Sequence, residues 1–130
     1  MTDFATITLP DKPDVMAPDG SEVRLLHRLA GGSMAHFKLA PGQVAKAVVH
    51  RTVEEMWFVV SGRGEMWRAQ NGHEEIVPLA FGTAITIPVG TKFQFRAAET
   101  DALGIVGVTM PPWPGEDEVV FVTGAWTATI

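Results

Sequence analysis

Cysteine is absent from this 130-residue sequence, and charged residues make up only 19% of it. The absence of cysteine excludes disulfide bonds, thiolate zinc sites and a cysteine nucleophile. Basic residues are also in deficit, since 10 Lys and Arg face 15 Asp and Glu and give a net charge of −5. A protein of this charge has no basic face with which to neutralise nucleic-acid phosphates or anionic lipids. We therefore expect neither a nucleic acid nor a membrane as partner.

Long apolar runs are missing as well, because no run reaches the roughly 18 residues that a membrane-spanning helix needs. The opening residues 1–4 lack the basic segment and the apolar core of a signal peptide. We therefore expect a cytoplasmic protein. The length is that of one domain, and 46% hydrophobic residues are enough for a packed core. Residues 1–130 are accordingly predicted to form a single domain.

Turn residues are abundant, with 13 glycines and 9 prolines that divide the chain into short segments. Asn71-Gly72 is the strongest hairpin signal, because both residue types tolerate positive φ. Apolar and polar residues alternate with a period of two, as in Phe93-Gln94-Phe95-Arg96, and no window shows a helical stripe. We predict strands over 23–29, 33–39, 44–50, 55–60, 64–69, 74–77, 84–87, 92–97, 103–109 and 119–122. Short strands at this spacing are typical of an all-β sandwich or barrel.

Three segments outside the predicted strands receive an assignment from their composition. Gly62-Arg63-Gly64 is predicted to be a turn, and the proline-rich segment 111–115 an extended loop, since proline cannot donate to a sheet. The acidic run 116–118 that follows is predicted to be solvated. We expect Trp67 and Trp113 to be exposed enough to pack at a subunit interface.

Two sets of residues stand at fixed spacings within these segments. The first set lies in residues 42–62 and consists of Gly42, Val48, His50, Glu55 and Gly62. The second set lies in residues 82–97 and consists of Gly82, Pro88, Gly90, Phe93 and Ala97. These spacings resemble the two motifs of the cupin superfamily, in particular of its small single-domain members. The resemblance implies a cupin-type jelly-roll β-barrel of two antiparallel sheets, with its core motifs at 42–62 and 82–97.

The family's motifs carry three histidines and one glutamate, which point into the barrel and hold a divalent metal. Here Val48 and Phe93 occupy the first and third histidine positions, and Ala97 replaces the usual asparagine. Only His50 and Glu55 remain as metal ligands, and two protein ligands make a weak site. The cofactor is therefore left open between none and a divalent metal held by His50 and Glu55.

Other polar residues are poor substitutes for the missing ligands. Gln94 follows Phe93 and should face the opposite side of its strand. His73 is expected at the tip of the Asn71-Gly72 turn. His36 could face either the core or the outer surface, and Gln43 completes the set of candidates.

Apolar residues share the predicted inward parity with His50 and Glu55. They are Val48, Trp57, Val59, Phe93 and Phe95. Such residues either contact a largely apolar ligand or simply fill the barrel.

Three functions follow from these residues and from the resemblance. The first is a barrel that binds a small, largely apolar organic molecule and catalyses proton transfer as an isomerase, cyclase or lyase, with His50 as base or acid and Glu55 as its partner. The second is a metal-dependent oxygenase or isomerase that uses His50, Glu55 and unconventional ligands. The third is a ligand-binding or interaction module without catalysis. The resemblance also implies a homodimer.

Overall fold

In the computed structural model, which describes residues 2–130, the segments between the glycine and proline turns form β-strands. The strands are β1 (Val15–Met16), β2 (Glu22–Leu29), β3 (Gly32–Leu39), β4 (Val48–His50), β5 (Glu54–Gln70), β6 (His73–Ala80), β7 (Ala84–Ile87), β8 (Lys92–Ala97), β9 (Leu103–Met110) and β10 (Val119–Phe121). A single 3₁₀ turn spans Glu116–Glu118. Within the described residues, no helix has the length and apolar character that a membrane crossing requires. The all-β prediction is confirmed.

The strands form two antiparallel sheets that share β5. The first sheet has the order β1-β2-β3-β9-β5-β7 and uses the first half of β5. The second has the order β6-β5-β8-β4-β10 and uses the second half. Side chains from the facing surfaces of both sheets form one core. This arrangement confirms the jelly-roll barrel that the sequence predicts.

The turn predicted at 62–64 is wrong, because β5 runs without a break from Glu54 to Gln70. At this point the strand leaves the first sheet and enters the second, with a register irregularity between Val59 and Ser61. Gly62 has φ +77, and a Cβ there would lie 1.6 Å from the carbonyl oxygen of Ala102. Glycine is needed here for a close approach of two backbones rather than for a chain reversal.

Of two other local predictions, one is confirmed and the other holds only in part. Asn71 and Gly72 adopt φ of +50 and +77 and join β5 to β6 with Gln70 opposite His73, so the predicted hairpin is confirmed. The strand predicted at 44–50 is regular only over its last three residues. Its first part makes a single bridge, from Val44 to Arg96.

The core is rich in aromatic side chains that surround Trp57. Its ring is stacked on Phe37 at 5.4 Å and meets Phe93 and Phe95 edge-on, at 5.8 Å and 4.9 Å between ring centroids. Each such pair adds about 1 kcal/mol beyond the burial of its apolar area. These contacts fix the inner wall of the barrel at the point where β5, β8 and β3 face one another.

Trp67 is buried, with 6% of its surface exposed, so its predicted place at a subunit interface is wrong. It lies opposite Gln94 on the outer face of the second sheet. The C-terminal segment closes over this face, where the Gln94 side chain accepts a hydrogen bond from the backbone N–H of Trp126 and donates one to its carbonyl. The C-terminal segment has no regular strand at Trp126, so the periodicity of the sequence could not predict that it packs over the outer face of the second sheet.

The crossing of β5 can be tested with two glycines of the same backbone conformation. Gly62 and Gly72 both have φ +77, but nothing lies within 4 Å of a Cβ at Gly72. We expect Gly72→Ala to lower the free energy of unfolding by about 1 kcal/mol, the cost of a left-handed alanine. Gly62→Ala should lower it by roughly 3 kcal/mol or more, because the backbone must also move. Urea unfolding measures both values, and equal losses would contradict the close approach at Gly62.

Candidate active site

His50 and Glu55 converge on the inside of the barrel from neighbouring segments. His50 ends β4, where it pairs with Val119 of β10, and it shares its inward side with Val48. Glu55 lies at the start of β5 and shares its inward side with Trp57, as the strand alternation predicts. Both side chains are buried, with 6% of His50 and 4% of Glu55 exposed.

The two side chains are in direct contact. His50 Nδ1 lies 3.0 Å from Glu55 Oε2, with the oxygen off the N–H axis, so the contact is mainly electrostatic. The other carboxylate oxygen, Oε1, accepts a hydrogen bond of 3.0 Å from the indole N–H of Trp57. An acceptor beside Nδ1 favours the tautomer with its proton on that atom. The lone pair of His50 Nε2 is then available on the cavity side.

Two aromatic rings hold the imidazole of His50 on its other sides. Phe93 and Trp113 each lie 5.2 Å from it, centroid to centroid, at steep interplanar angles. Trp113 is half-buried and packs on His50, and its place at a subunit interface stays a prediction. Its backbone N–H donates to Ser33 Oγ at 2.9 Å, and its carbonyl accepts from Arg28 Nη1 at 3.1 Å. The proline-rich loop is therefore part of the site.

The acidic run 116–118 is solvated only in part. Glu116 and Asp117 are exposed as predicted, but Glu118 is buried, which corrects the prediction for this residue. Its carboxylate accepts hydrogen bonds from the N–H and hydroxyl of Thr52 and from the N–H of Val53, the last at 2.9 Å. Burial alone raises the pKa of Glu118, but the three hydrogen bonds outweigh it and the pKa lies below its usual value.

These hydrogen bonds fix the loop between β4 and β5. Thr52 and Val53 lie between His50 and Glu55 in the chain, so Glu118 sets the path that brings the pair together. The unpaired backbone donors of this loop find their acceptor in a residue more than sixty positions away. Local sequence patterns cannot reveal such a partner.

The pair faces a cavity of about 480 Å³ with a mostly apolar wall. Of the residues predicted to bind substrate, Val48, Trp57 and Phe93 lie on this wall. Val59 and Phe95 are fully buried in the core and do not line the cavity.

Polar groups that sequence reasoning missed also line this cavity. They include Asp19, from the loop between β1 and β2, and Ser33 and Thr109, whose hydroxyls lie 2.6 Å apart. The titratable residues His27, Arg28 and Glu116 lie on the same wall. Thr109 is the cross-strand partner of both Ser33 and Glu55. None of these residues belongs to a recognisable motif, and strand pairing is what places Ser33 and Thr109 beside Glu55.

Asp19 is a buried carboxyl without a cationic partner among the described residues. Its Oδ1 accepts hydrogen bonds from the backbone N–H and the hydroxyl of Ser21, at 2.9 Å and 2.7 Å. Burial raises the pKa of Asp19, and the charge of Glu55 raises it further. The Ser21 hydrogen bonds and the charge of His50 lower it, but the net direction is upward.

The residues of this site do not fit the metal centre that the resemblance implies. Val48 and Phe93 supply no donor atom, and His50 and Glu55 contact each other. Within residues 2–130, no group of three or more His, Asp or Glu could hold a metal ion. Two ligands with no third donor fall short of the sets that hold transition metals in proteins.

The substitute ligands considered from the sequence lie elsewhere. Gln94 faces away from the cavity as predicted, and its amide donates to the carbonyl of Ala45. Gln43 accepts a hydrogen bond from the N–H of Ala40. His73 is exposed at its hairpin. His36 of β3 is buried, and its cross-strand partner is Arg24 of β2. They are not brought together with His50 and Glu55.

Comparison with known proteins agrees with the fold. The family model for the cupin domain matches residues 35–108. Similar solved structures include an uncharacterised Klebsiella pneumoniae protein with a double-stranded β-helix domain (TM-score 0.72, 14% identity, 93% of this chain and 99% of that one). A cupin protein from Bacteroides fragilis has a TM-score of 0.65 at 20% identity over 85% of this chain and 86% of that one.

A third similar structure is a variant of PAC13 from Streptomyces, solved with uridine. It has a TM-score of 0.70 and 15% identity over 93% of each chain. At these identities the likeness concerns the fold alone. No curated protein sequence matches this chain significantly.

The role of Glu118 predicts a pH-dependent stability. Because its pKa is lowered in the folded state, the stabilisation is present at neutral pH and is lost as the pH falls below about 4.5, the usual value for glutamate. Glu118→Gln should therefore lower the free energy of unfolding by about 2 kcal/mol at pH 7, and by less at pH 3. Urea unfolding at both pH values measures this difference. Glu116→Gln, at an exposed residue of the same run, is the control and should leave the free energy of unfolding unchanged at both pH values. If Glu118→Gln loses the same stability at pH 7 and at pH 3, Glu118 does not act as a buried carboxylate.

Proposed function

The chain belongs to the cupin domain family, and we propose that it binds a small, largely apolar organic molecule in its barrel and catalyses proton transfer on it. The reaction class is that of an isomerase, cyclase or lyase with little or no dependence on a metal. One observation carries the proposal: His50 is held at Nδ1 by Glu55 while its other nitrogen faces an apolar cavity of about 480 Å³.

The cavity suits this chemistry in size and polarity. Its volume lies within the range of about 300–1,000 Å³ that is typical of small-molecule sites. An apolar wall excludes water and strengthens the electrostatic interactions inside it. Trp57, Phe93 and Val48 supply apolar contact, while the hydroxyls of Ser33 and Thr109 offer polar anchors for the ligand.

The proton transfer uses the two nitrogens of His50 separately. Nε2 accepts a proton from an acidic C–H or O–H of the bound molecule. The imidazolium that forms is stabilised by the carboxylate of Glu55 beside Nδ1. Trp57 holds that carboxylate in place through its indole N–H, so the base stays oriented toward the cavity. Return of the proton to another atom of the substrate completes an isomerisation.

The PAC13 variant is informative only at the level of the fold. It was solved with uridine, a small organic molecule. This agrees with the proposal that the present barrel takes a small-molecule ligand. It carries no information on the identity of that ligand.

We also propose that the protein is a homodimer, with the outer face of the first sheet as the interface. Met34 and Met56 lie on either side of Val108 in register, and both are exposed, at 36% and 52%. The exposed rings of Phe58 and Phe81 pack next to each other, 6.2 Å apart. These side chains carry no charge, so a second copy can meet them despite the net charge of −5. A cytoplasmic location stays a prediction.

The homodimer is tested by the mass of the protein in solution. Phe58→Lys would place two like charges at the interface and is expected to give a monomer. Phe121→Lys, on the exposed Phe121 of the second sheet, is the matched control and should leave the dimer intact. Light scattering after gel filtration measures both. A monomeric parent protein, or an equal effect of the two variants, would overturn the proposal.

The proton-transfer chemistry can be tested with a defined carbon acid, 5-nitrobenzisoxazole. A base removes its C–H proton, the N–O bond breaks and a coloured nitrophenolate forms. We expect the protein to accelerate this reaction over buffer. His50→Gln should lower the rate by about 100-fold or more, the contribution of a positioned base, and Glu55→Gln by roughly tenfold.

His73→Gln is the control for a histidine outside the cavity, since 77% of the His73 side chain is exposed. Its rate should equal that of the parent protein. Equal rates for His50→Gln and His73→Gln would rule out His50 as the base. If the parent protein gives no acceleration, the barrel is a ligand-binding module without proton-transfer activity.

A further inference from the structure

The carboxyl of Asp19 is held in a way that leaves one of its oxygens free. The backbone carbonyl of Asp19 accepts a hydrogen bond of 2.9 Å from the N–H of Lys46, which ties its loop to the second sheet. Oδ1 accepts two hydrogen bonds from Ser21. Among residues 2–130, Oδ2 makes no hydrogen bond and yet is not sealed from solvent-accessible space. Asp19 lines the cavity, and Oδ2 is its oxygen without a hydrogen-bond partner among the described residues.

The surroundings of Asp19 favour the carboxyl in its neutral form. It is buried, it forms no ion pair with the described residues, and it lies within the electrostatic reach of Glu55 and His50. A negative charge on Glu55 disfavours a second one on Asp19, which adds to the effect of burial in raising the pKa of Asp19. Glu55 has an imidazole and an indole N–H as partners, whereas Asp19 has no such cationic partner. Burial and the charge of Glu55 both raise the pKa of Asp19, so this carboxyl keeps its proton to a higher pH than an ordinary aspartate does.

The hydrogen bonds of Ser21 determine which oxygen carries that proton. Oδ1 already accepts from the backbone N–H and is within 2.7 Å of the Ser21 hydroxyl. An oxygen that accepts two donors is poorly placed to carry a proton of its own. In the neutral form of Asp19 the proton is thus on Oδ2, the oxygen that has no partner among the described residues.

We propose that Asp19 is the general acid of this site and acts together with His50 as the general base. This inference rests on the proposed proton-transfer function and extends it to a substrate class. The substrate is a small apolar molecule with an acidic C–H and a leaving oxygen on the neighbouring carbon. His50 Nε2 removes the C–H proton, and the C–O bond breaks as the new double bond forms.

The protons balance over the cycle. Asp19 gives its Oδ2 proton to the departing oxygen, which leaves as water or as an alcohol. His50 then carries one extra proton and Asp19 one fewer. Transfer of that proton from His50 to Asp19 through a water molecule restores both groups, so no co-reactant is needed. The reaction is an elimination of the lyase class.

The test compares two carbon acids that differ in their need for an acid. Unsubstituted benzisoxazole releases a more basic phenolate than 5-nitrobenzisoxazole and so gains more from protonation of the departing oxygen. Asp19→Asn keeps the shape and the Oδ1 acceptor but cannot transfer a proton. We expect it to lower the rate on benzisoxazole by about 30-fold or more, and the rate on the nitro compound by less than about threefold.

Asp117→Asn, on an exposed carboxylate, is the matched control and should change neither rate. Equal losses on both compounds for Asp19→Asn would indicate a structural role and overturn the proposal. An inactive parent protein would count against the proposed function itself, and a second measurement then decides on Asp19. In that measurement, carbon-13 NMR of the side-chain carboxyls follows the ionisation of Asp19, identified by its absence in Asp19→Asn.

We expect Asp19 to ionise above its ordinary pKa of 3.8. Ionisation at or below that value would overturn the proposal whatever the activity. The thermal unfolding of the variant provides the check on folding. Since the folded state favours the neutral carboxyl, the parent protein loses stability as the pH rises through the ionisation of Asp19, and Asp19→Asn does not. The variant should therefore be at least as stable as the parent protein at pH 8.

Discussion

The passage of β5 from one sheet to the other is the constraint on which the rest of the structure depends. One unbroken strand, Glu54–Gln70, pairs with β9 and β7 in its first half and with β6 and β8 in its second. Gly62 and Gly64 make the crossing possible, because a Cβ at either position would collide with a backbone carbonyl of a neighbouring segment of the same chain. The first half of the strand then carries Glu55 and Trp57 on the cavity side, while the second half closes the barrel around them.

The contact between His50 and Glu55 is set by strand pairing and by one distant carboxylate. His50 is placed by the pairing of β4 with β8 and β10, and Glu55 by the pairing of β5 with β9. The short loop between them would be free to move without Glu118, which binds its backbone from the segment before β10. The same segment, through Trp113, also packs on the imidazole. The orientation of His50 is therefore a property of the C-terminal part of the chain as much as of the motif that contains it.

Much of the fold was predictable because its signals are local. The alternation in Phe93-Gln94-Phe95 predicts which side chains face inward, and the structure places Phe93 on the cavity wall and Gln94 on the outer face. Asn71-Gly72 likewise encodes its own hairpin. Prediction from the sequence fails at Gly62, because glycine is typical of turns but here permits a close contact with the backbone of a distant segment. The burial of Trp67 and Glu118 depends on C-terminal segments with no periodic pattern, so their neighbours could not be inferred.

The site contains three carboxyl groups whose environments separate their roles. Glu118 is buried, yet three hydrogen-bond donors hold it as a carboxylate and make it a structural anchor. Asp19 is buried with donors on one oxygen only and with Glu55 nearby, which favours the neutral acid. Glu55 has an imidazole and an indole N–H as its partners and lies against His50. Burial alone does not determine whether a carboxyl is charged, because the number and kind of its hydrogen-bond and charge partners also shift its pKa. Val48 and Phe93 stand at the histidine positions of the resemblance, and the buried carboxyls of this barrel differ accordingly in use: Glu118 fixes a loop, while Asp19 and Glu55 line the cavity.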